Sequence, residues 1–261
     1  MDNAIYLFIN NDKGSIMTKP IYAAFLAIGD ELLSGRTQDK NLQFLASNLQ
    51  SIGIDLAEAR FIHDQAQAIG QHAKNLSQNY DYVFTSGGIG PTHDDITTQS
   101  LADAFNVKVI KHQEADLRLQ TYYQSQNKDY SLMRQRMALI PEGASLIDNP
   151  VSIAPGFILN NIYVMAGVPA IFQAMLSGLL NQLQHGQTIY SQTLFAPLPE
   201  TYIAQGLEAI ANHHQDCSIG CYPSWQDDRP VVNIVVKSVN KPHFDAAINA
   251  CQMLIKNSQT L

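Results

Sequence analysis

Two stretches of this chain set acidic side chains beside glycines. The longer is Thr85-Ser86-Gly87-Gly88-Ile89-Gly90-Pro91-Thr92-His93-Asp94-Asp95-Ile96-Thr97-Thr98. It follows an apolar, strand-like run and opens a helix, so the N–H groups of a glycine turn and of a helix N-terminus would converge on one place, where phosphate or another anion is held. No Gly-Lys-Ser/Thr follows, which excludes a Walker loop, and the third glycine of a dinucleotide fingerprint is missing. Two adjacent carboxylates, Asp94 and Asp95, stand there instead. In a first helical turn they either cap N–H groups or hold a hard divalent cation such as Mg²⁺, which takes oxygen ligands alongside substrate phosphates.

The shorter stretch is Gly29-Asp30-Glu31-Leu32-Leu33-Ser34-Gly35, directly after the first strand. In a parallel sheet the C-terminal ends of the strands line one edge, so Asp30 and Glu31 face the same crevice as the glycine turn. Carboxylates beside a phosphate repel it unless a cation lies between them, and the pairing therefore suggests a metal-bridged diphosphate site. The alternative is a solvated loop with a helix cap. Asn41 either caps the next helix or hydrogen-bonds a ligand. Other polar residues carry less. His93 reads as packed or solvated ahead of catalytic, and Ser34 and Ser86 lack His and Asp partners at a nucleophile's spacing. Arg134 and Arg136 read as surface charges ahead of phosphate contacts, and Trp225 as a satellite-core residue.

From Tyr22 the chain alternates apolar, β-rich runs with segments of helical period, the βαβα pattern of a mostly parallel sheet covered by helices on both faces. The expected strands are 22–28, 56–62, 82–86 and 162–165. Leu42, Leu45, Leu49 and Ile52 form one stripe of a helix over 41–52, with Gly53 as its C′ glycine. A second helix begins at Asp64, a third just after Pro91, and another runs from Gly167-Val168-Pro169 to near His185-Gly186, the expected domain boundary. The remainder reads β, α, β, β, α, with strands over 188–195 and 231–236, helices over 201–212 and 244–255, and a turn-rich stretch from Tyr222 to Pro230. The expected domains are thus a mobile extension over 1–18, marked off by a second methionine, Met17, just before the first strand, an α/β domain over 19–186, and a small α+β domain over 187–261.

A length of 261 residues allows one or two domains with a real core, and 46% hydrophobic with 15% charged residues describes a folded chain. The net charge of −7 argues against binding nucleic acid along its backbone. The three cysteines, Cys217, Cys221 and Cys251, are expected as reduced thiols of a cytoplasmic protein, and Cys-x₃-Cys without a second pair is a poor zinc pattern. No apolar run reaches the roughly 18 residues a membrane helix requires, and Ile5 to Ile9 is a poor signal peptide.

At its two acidic motifs the sequence resembles the MoaB/Mog-type molybdopterin-binding domain and, more closely, the N-terminal domain of the competence/damage-inducible protein A (CinA) family. The likeness runs over 22 to about 185 through Gly29 to Gly35, Asp39 to Asn41, Gly53, Asp64, Gly87 to Thr97, Pro141-Glu142-Gly143-Ala144, Asn149-Pro150, Ala154-Pro155-Gly156 and Gly167-Val168-Pro169. The small module resembles the domain that follows in CinA proteins, with Cys221-Tyr222-Pro223 for a common Ser-Tyr-Pro. Two departures are Ile171, where the family usually has Glu, and Val151-Ser152-Ile153, where Val-Gly-Thr is common. The resemblance implies a three-layer α/β/α fold, usually homo-oligomeric, that takes a nucleotide or pterin phosphate. No C-terminal nicotinamide-nucleotide amidase domain is expected within these residues. The implied activity is metal-dependent hydrolysis of a nucleotide pyrophosphate such as ADP-ribose; molybdopterin binding or adenylylation, or a non-catalytic nucleotide-binding module, are the alternatives. The implied catalytic residues are Asp30 and Asp95. Substrate phosphate would be bound by Gly87, Gly88, Gly90, Thr92 and Asn41, and a divalent metal (Mg²⁺, Mn²⁺ or Co²⁺) by Asp30, Glu31, Asp94 and Asp95.

Overall fold

The computed structural model describes residues 20–259, so the extension expected over 1–18 lies outside the described residues. Of the described residues, those up to Gly186 form one compact unit and those from Gln187 a second.

The first unit opens with strand β1 (Ile21–Ile28), buried along all but one position, as an apolar central strand of a parallel sheet requires. The short helix α1 (Asp30–Leu33) follows, then α2 (Asn41–Ser51), β2 (Ile54–Ile62), α3 (Ala66–Asn79) and β3 (Tyr82–Ser86). Next come α4 (Thr97–Phe105), β4 (Val109–Lys111), α5 (Gln113–Ser125), α6 (Leu132–Gln135) and β5 (Leu139–Pro141). The unit closes with β6 (Ser145–Ile147), β7 (Gly156–Leu159), β8 (Ile162–Met165) and α7 (Pro169–Leu179). Six strands form one sheet in the order β2-β1-β3-β8-β7-β6; β2, β1, β3 and β8 are parallel, and β7 pairs antiparallel with both β8 and the edge strand β6. β4 and β5 pair separately.

Helices lie on both faces, giving three layers. One core joins Phe25, Leu45, Leu49, Phe84 and Met165 to Phe172 and Leu176 of α7; the other joins Leu26, Val83 and Val164 to Ile69, Leu76 and Leu101 of α3 and α4. The period-2 alternation of a strand sends Phe25 and Leu26 to opposite faces, which is why one strand feeds two cores.

Several helix boundaries differ from the sequence reading, the start of α4 and the end of α7 by the most. The helix expected directly after Pro91 starts at Thr97, because Asp95 turns back onto Thr92 and holds the intervening residues in turns. The helix expected to reach His185 ends at Leu179, with one 3₁₀ turn over Leu180–Gln182. Beyond it Gly186 donates its N–H to the Ile52 carbonyl and lies against Gly53, where a Cβ would fall 1.9 Å from the Gly53 oxygen.

The second unit comprises β9 (Tyr190–Ala196), α8 (Ala204–His213), β10 (Ser218–Gln226), β11 (Arg229–Ser238) and α9 (Lys241–Ser258). Its antiparallel sheet runs β10-β11-β9 and buries Leu194, Val232, Ile234 and Val236 against Leu207 of α8 and Phe244 and Ile248 of α9. The turn-rich stretch expected from Tyr222 to Pro230 is mostly strand. The turn is confined to Asp227-Asp228, both at positive φ between paired Gln226 and Arg229, a two-residue hairpin of the kind whose twist suits the flanking strands. Pro223 is tolerated because β10 is an edge strand. The three cysteines are free thiols, and no helix among the described residues is long and apolar enough to cross a membrane.

Candidate active site

Parallel strands bring their C-terminal ends to one edge of the sheet, and both acidic stretches leave from that edge. Ile28 pairs with Ile62 and Ala27 with Ser86, so the residues after β1, β2 and β3 emerge side by side. Gly29 donates its N–H to the Ile62 carbonyl, and Gly87 to the Met165 carbonyl. Gly87 takes φ +109 and lies so close to β1 that a Cβ would fall 2.2 Å from the Ile28 oxygen. Only glycine fits there. Gly88, at φ +70, accepts from the Thr97 N–H, while the Thr97 hydroxyl donates to the Gly87 carbonyl at 3.1 Å, pinning the start of α4 to the glycine turn.

These loops wall a crevice of about 610 Å³. Gly87, Gly88, Ile89, Gly90, Asp94 and Asp95 line it from one side, Gly29, Glu31 and Asp64 from a second, and Asn149, Ser152 and Gly167 to Pro169 from a third. The N–H groups of Gly88, Ile89 and Gly90 have no hydrogen-bond partner among the described residues, whereas that of Gly87 is used within the fold. The cradle is therefore narrower than the run of glycines suggests. Gly90 carries a second role: a Cβ there would meet the Asp95 carboxylate at 2.6 Å.

Asp95 Oδ2 accepts from the Thr92 N–H at 2.8 Å and from its hydroxyl at 2.5 Å. Asp95 thus shapes the turn through Thr92, whose hydroxyl also lies beside Asp94. Asp94 is exposed; the Thr92 hydroxyl, its own backbone N–H and His93 hold its carboxyl below the usual value. Asp30 Oδ1 meets His63 Nδ1 at 2.7 Å and the Asp64 N–H at 3.3 Å, and Asp64 Oδ2 accepts the Asp30 N–H at 2.9 Å, closing a reciprocal pair. The His63 hydrogen bond is the main reason the Asp30 carboxyl lies below its ordinary value. The Asp64 carboxyl is pushed up, first by burial and then by the charges of Asp30, Glu31 and Asp94.

Of the residues singled out in the sequence, Gly87, Gly88, Gly90, Glu31, Asp94 and Asp95 line the crevice together; Asp30 sits beside it on Asp64, and Thr92 and Asn41 are not among its walls. Asn41 is neither a cap nor an exposed ligand group. Asp39 accepts the Leu42 N–H at the start of α2, while Asn41, buried, donates through Nδ2 to Ser86 Oγ at 2.7 Å and to the Gly167 carbonyl at 2.8 Å. Its Oδ1 is buried without a partner among the described residues. Asp64 and His63 were missed as site residues, although Asp64 follows a strand parallel to β1 and so had to reach the same edge. Asn149 was missed as well: its side chain takes the N–H groups of Val151 and Ser152 and donates to the Ala154 carbonyl, folding the third wall with Ile153 at φ +66. Ile171 lines the crevice with an apolar side chain at the position where the resemblance led to the expectation of Glu.

Every charged donor lining the crevice is a carboxylate, which suits a hard divalent cation. Among the described residues no three His, Cys, Asp or Glu side chains are arranged to enclose a metal ion. The donor set fits a cation held by one or two carboxylates and shared with phosphate oxygens, the usual manner of Mg²⁺, and not one caged by protein alone.

A three-layer fold with a glycine turn and paired acidic loops at the C-terminal edge of a mixed sheet defines an α/β domain of the molybdopterin-binding class. Residues 24–185 match the family described as "Probable molybdopterin binding domain", and residues 188–260 match "FAD synthase, middle domain". The chain belongs to the molybdopterin-binding (MoaB/Mog-type) domain family, on its CinA-like side. It is 36% identical over 167 residues to a CinA-like protein of Sulfurihydrogenibium sp., covering 62% of this chain and 42% of that one. A probable FAD synthase of Caenorhabditis elegans is 27% identical over 257 residues, 89% of this chain and 50% of that one, so the chain spans about half the length of these relatives. Among solved structures, the protein CinA with unknown function from Thermoplasma acidophilum superposes with a TM-score of 0.57 at 27% identity, covering 62% of this chain and 98% of that one.

Proposed function

We propose that the chain hydrolyses the phosphoanhydride of a nucleotide pyrophosphate such as ADP-ribose, with a divalent metal (Mg²⁺, Mn²⁺ or Co²⁺) as cofactor. The observation that carries this reading is the crowding of Asp30, Glu31 and Asp94 on Asp64, whose carboxyl their charges help to raise, beside the unpaired N–H groups of Gly88 to Gly90. Such an array repels a diphosphate and attracts one that arrives with a cation. One or two of the carboxylates of Asp30, Glu31, Asp94 and Asp95 would hold the metal, with phosphate oxygens and water completing its shell. A bound divalent cation supplies charge neutralisation and Lewis acidity. The chain supplies the rest. The amides of Gly88, Ile89 and Gly90 bind one phosphate and orient it, Asp95 keeps that turn in shape, and Asp30, held through Oδ1 by His63 and Asp64 beside the crevice, keeps Oδ2 for the incoming water.

The second reading, binding of a molybdopterin-type pterin phosphate, is favoured by the family match over 24–185. The match of 188–260 to a FAD synthase domain adds FAD as a pyrophosphate to assay beside ADP-ribose. Release of AMP from either by metal-depleted protein given back a single divalent metal supports the first reading. Pterin binding without AMP release supports the second.

A further inference from the structure

A smaller cavity, of about 110 Å³, shares Ile89, Gly90, Asp95 and Met137 with the crevice and continues beyond them between α4, β4, β5 and β7. We propose that this cavity is a base subsite, taking an amino-substituted bicyclic heteroaromatic ring, with Arg136 as its specificity-determining residue. The inference rests on the reading of the crevice as a phosphate site.

Four observations converge. The cavity adjoins the phosphate cradle at Gly90, so a ring within it and a phosphate at Gly88 to Gly90 can belong to one ligand. Its walls combine apolar surface, from Val109, Leu139 and Phe157, with four polar side chains, Asp95, Thr98, Gln99 and Arg136, the mixture that fixes a heterocycle in place. The volume exceeds that of a few waters at about 30 Å³ each and is of the order of a bicyclic ring. Finally, its polar groups are largely uncommitted. Gln99 gives its amide nitrogen to Asp103 at 2.8 Å and keeps its oxygen as an acceptor. The Thr98 hydroxyl and the Arg136 guanidinium have no side-chain hydrogen bond or ion pair among the described residues. A half-buried guanidinium left unpaired in a chain of net charge −7 is a group available to a ligand, and its flat face stacks on aromatic rings.

The test is calorimetric binding to the full chain in Mg²⁺ buffer of AMP, ribose 5-phosphate and a 6-substituted pterin, repeated with Val109→Phe, which fills the cavity, and with Arg136→Gln, which leaves the cavity open and removes the charge. Wild type should bind AMP at least tenfold more tightly than ribose 5-phosphate. Val109→Phe should abolish that preference and Arg136→Gln reduce it several-fold, with melting temperatures confirming that both variants fold. A preference for the pterin, lost in the same variants, also supports the subsite and identifies a pterin as its ring. Equal binding of all three ligands by wild type, or a preference for a ring untouched by either substitution, overturns it. Failure of the hydrolysis reading appears separately, as absence of AMP release by protein that still shows the base preference.

Discussion

The two glycine-acid loops look alike in sequence and behave differently. Gly29 sits in extended backbone, and the nearest atoms a Cβ would crowd belong to the flexible Glu31 side chain. Gly87 stands in the left-handed region against the Ile28 carbonyl, which cannot give way without disturbing β1. The acids divide likewise. Asp30 is turned toward the neighbouring strand end, onto His63 and Asp64, whereas Asp95 is turned inward onto Thr92 to build its own loop. The first loop is a charged edge laid on the fold, and the second is a shaped cradle that the fold depends on.

The largest expected effect is therefore a contrast between glycines. Gly87→Ala should destabilise the protein by on the order of 3 kcal/mol or prevent folding, and Gly29→Ala should cost less than about 1 kcal/mol, both read by chemical denaturation. Equal losses would break the comparison.

Next comes the contrast between the adjacent aspartates. Asp94→Asn and Asp95→Asn should each lower AMP release roughly 100-fold, since both remove a carboxylate from the crevice. Only Asp95→Asn should also cost about 1 kcal/mol of stability, through weaker acceptance of the two Thr92 donors. Denaturation curves that do not separate the two variants would contradict the cradle role of Asp95.

The smallest effect is electrostatic. A carboxyl raised in the folded state adds stability below its ordinary value of 3.8 and loses it as pH rises through the folded value, so ionised Asp64 is a net cost at neutral pH. Asp64→Asn, whose side-chain oxygen can still accept the Asp30 N–H, should raise the melting temperature at pH 7 by the equivalent of at most about 0.5 kcal/mol, with the gain vanishing near pH 3. Asp30 and Asp94, lowered in the folded state, act in the opposite sense: their stabilisation is present above the ordinary carboxylate value and is lost as pH falls through the lowered ones. A gain that grows toward acid pH would contradict the crowding of charge on Asp64.

Much of this was legible because it rests on periodicity. The run from Tyr22 to Ile28 and that from Tyr82 to Ser86 each fall within one residue of a strand, and Gly53 takes the positive φ of a C′ glycine. What stayed hidden rests on side chains closing onto backbone. Nothing in residue spacing shows that Asp95 folds back on Thr92 and delays the helix to Thr97, or that Asn149 ties its own loop together. The strand over Ser218–Gln226 was masked by Pro223 and the Asp227-Asp228-Arg229-Pro230 sequence, whose turn signals outweigh an alternation that lies at a sheet edge. Asn41 was recognised as polar and well placed, yet its burial and its bonds to Ser86 and Gly167 follow only from tertiary packing.

The most direct test of the central claim is chromatographic measurement of AMP released from ADP-ribose by chelator-treated protein, before and after adding back Mg²⁺, Mn²⁺ or Co²⁺, with folded Asp94→Asn protein alongside. The account predicts no AMP without metal, turnover on restoring one of the three, and a loss of about 100-fold in the variant. Turnover that persists in the chelated protein, or that survives Asp94→Asn undiminished, would contradict it.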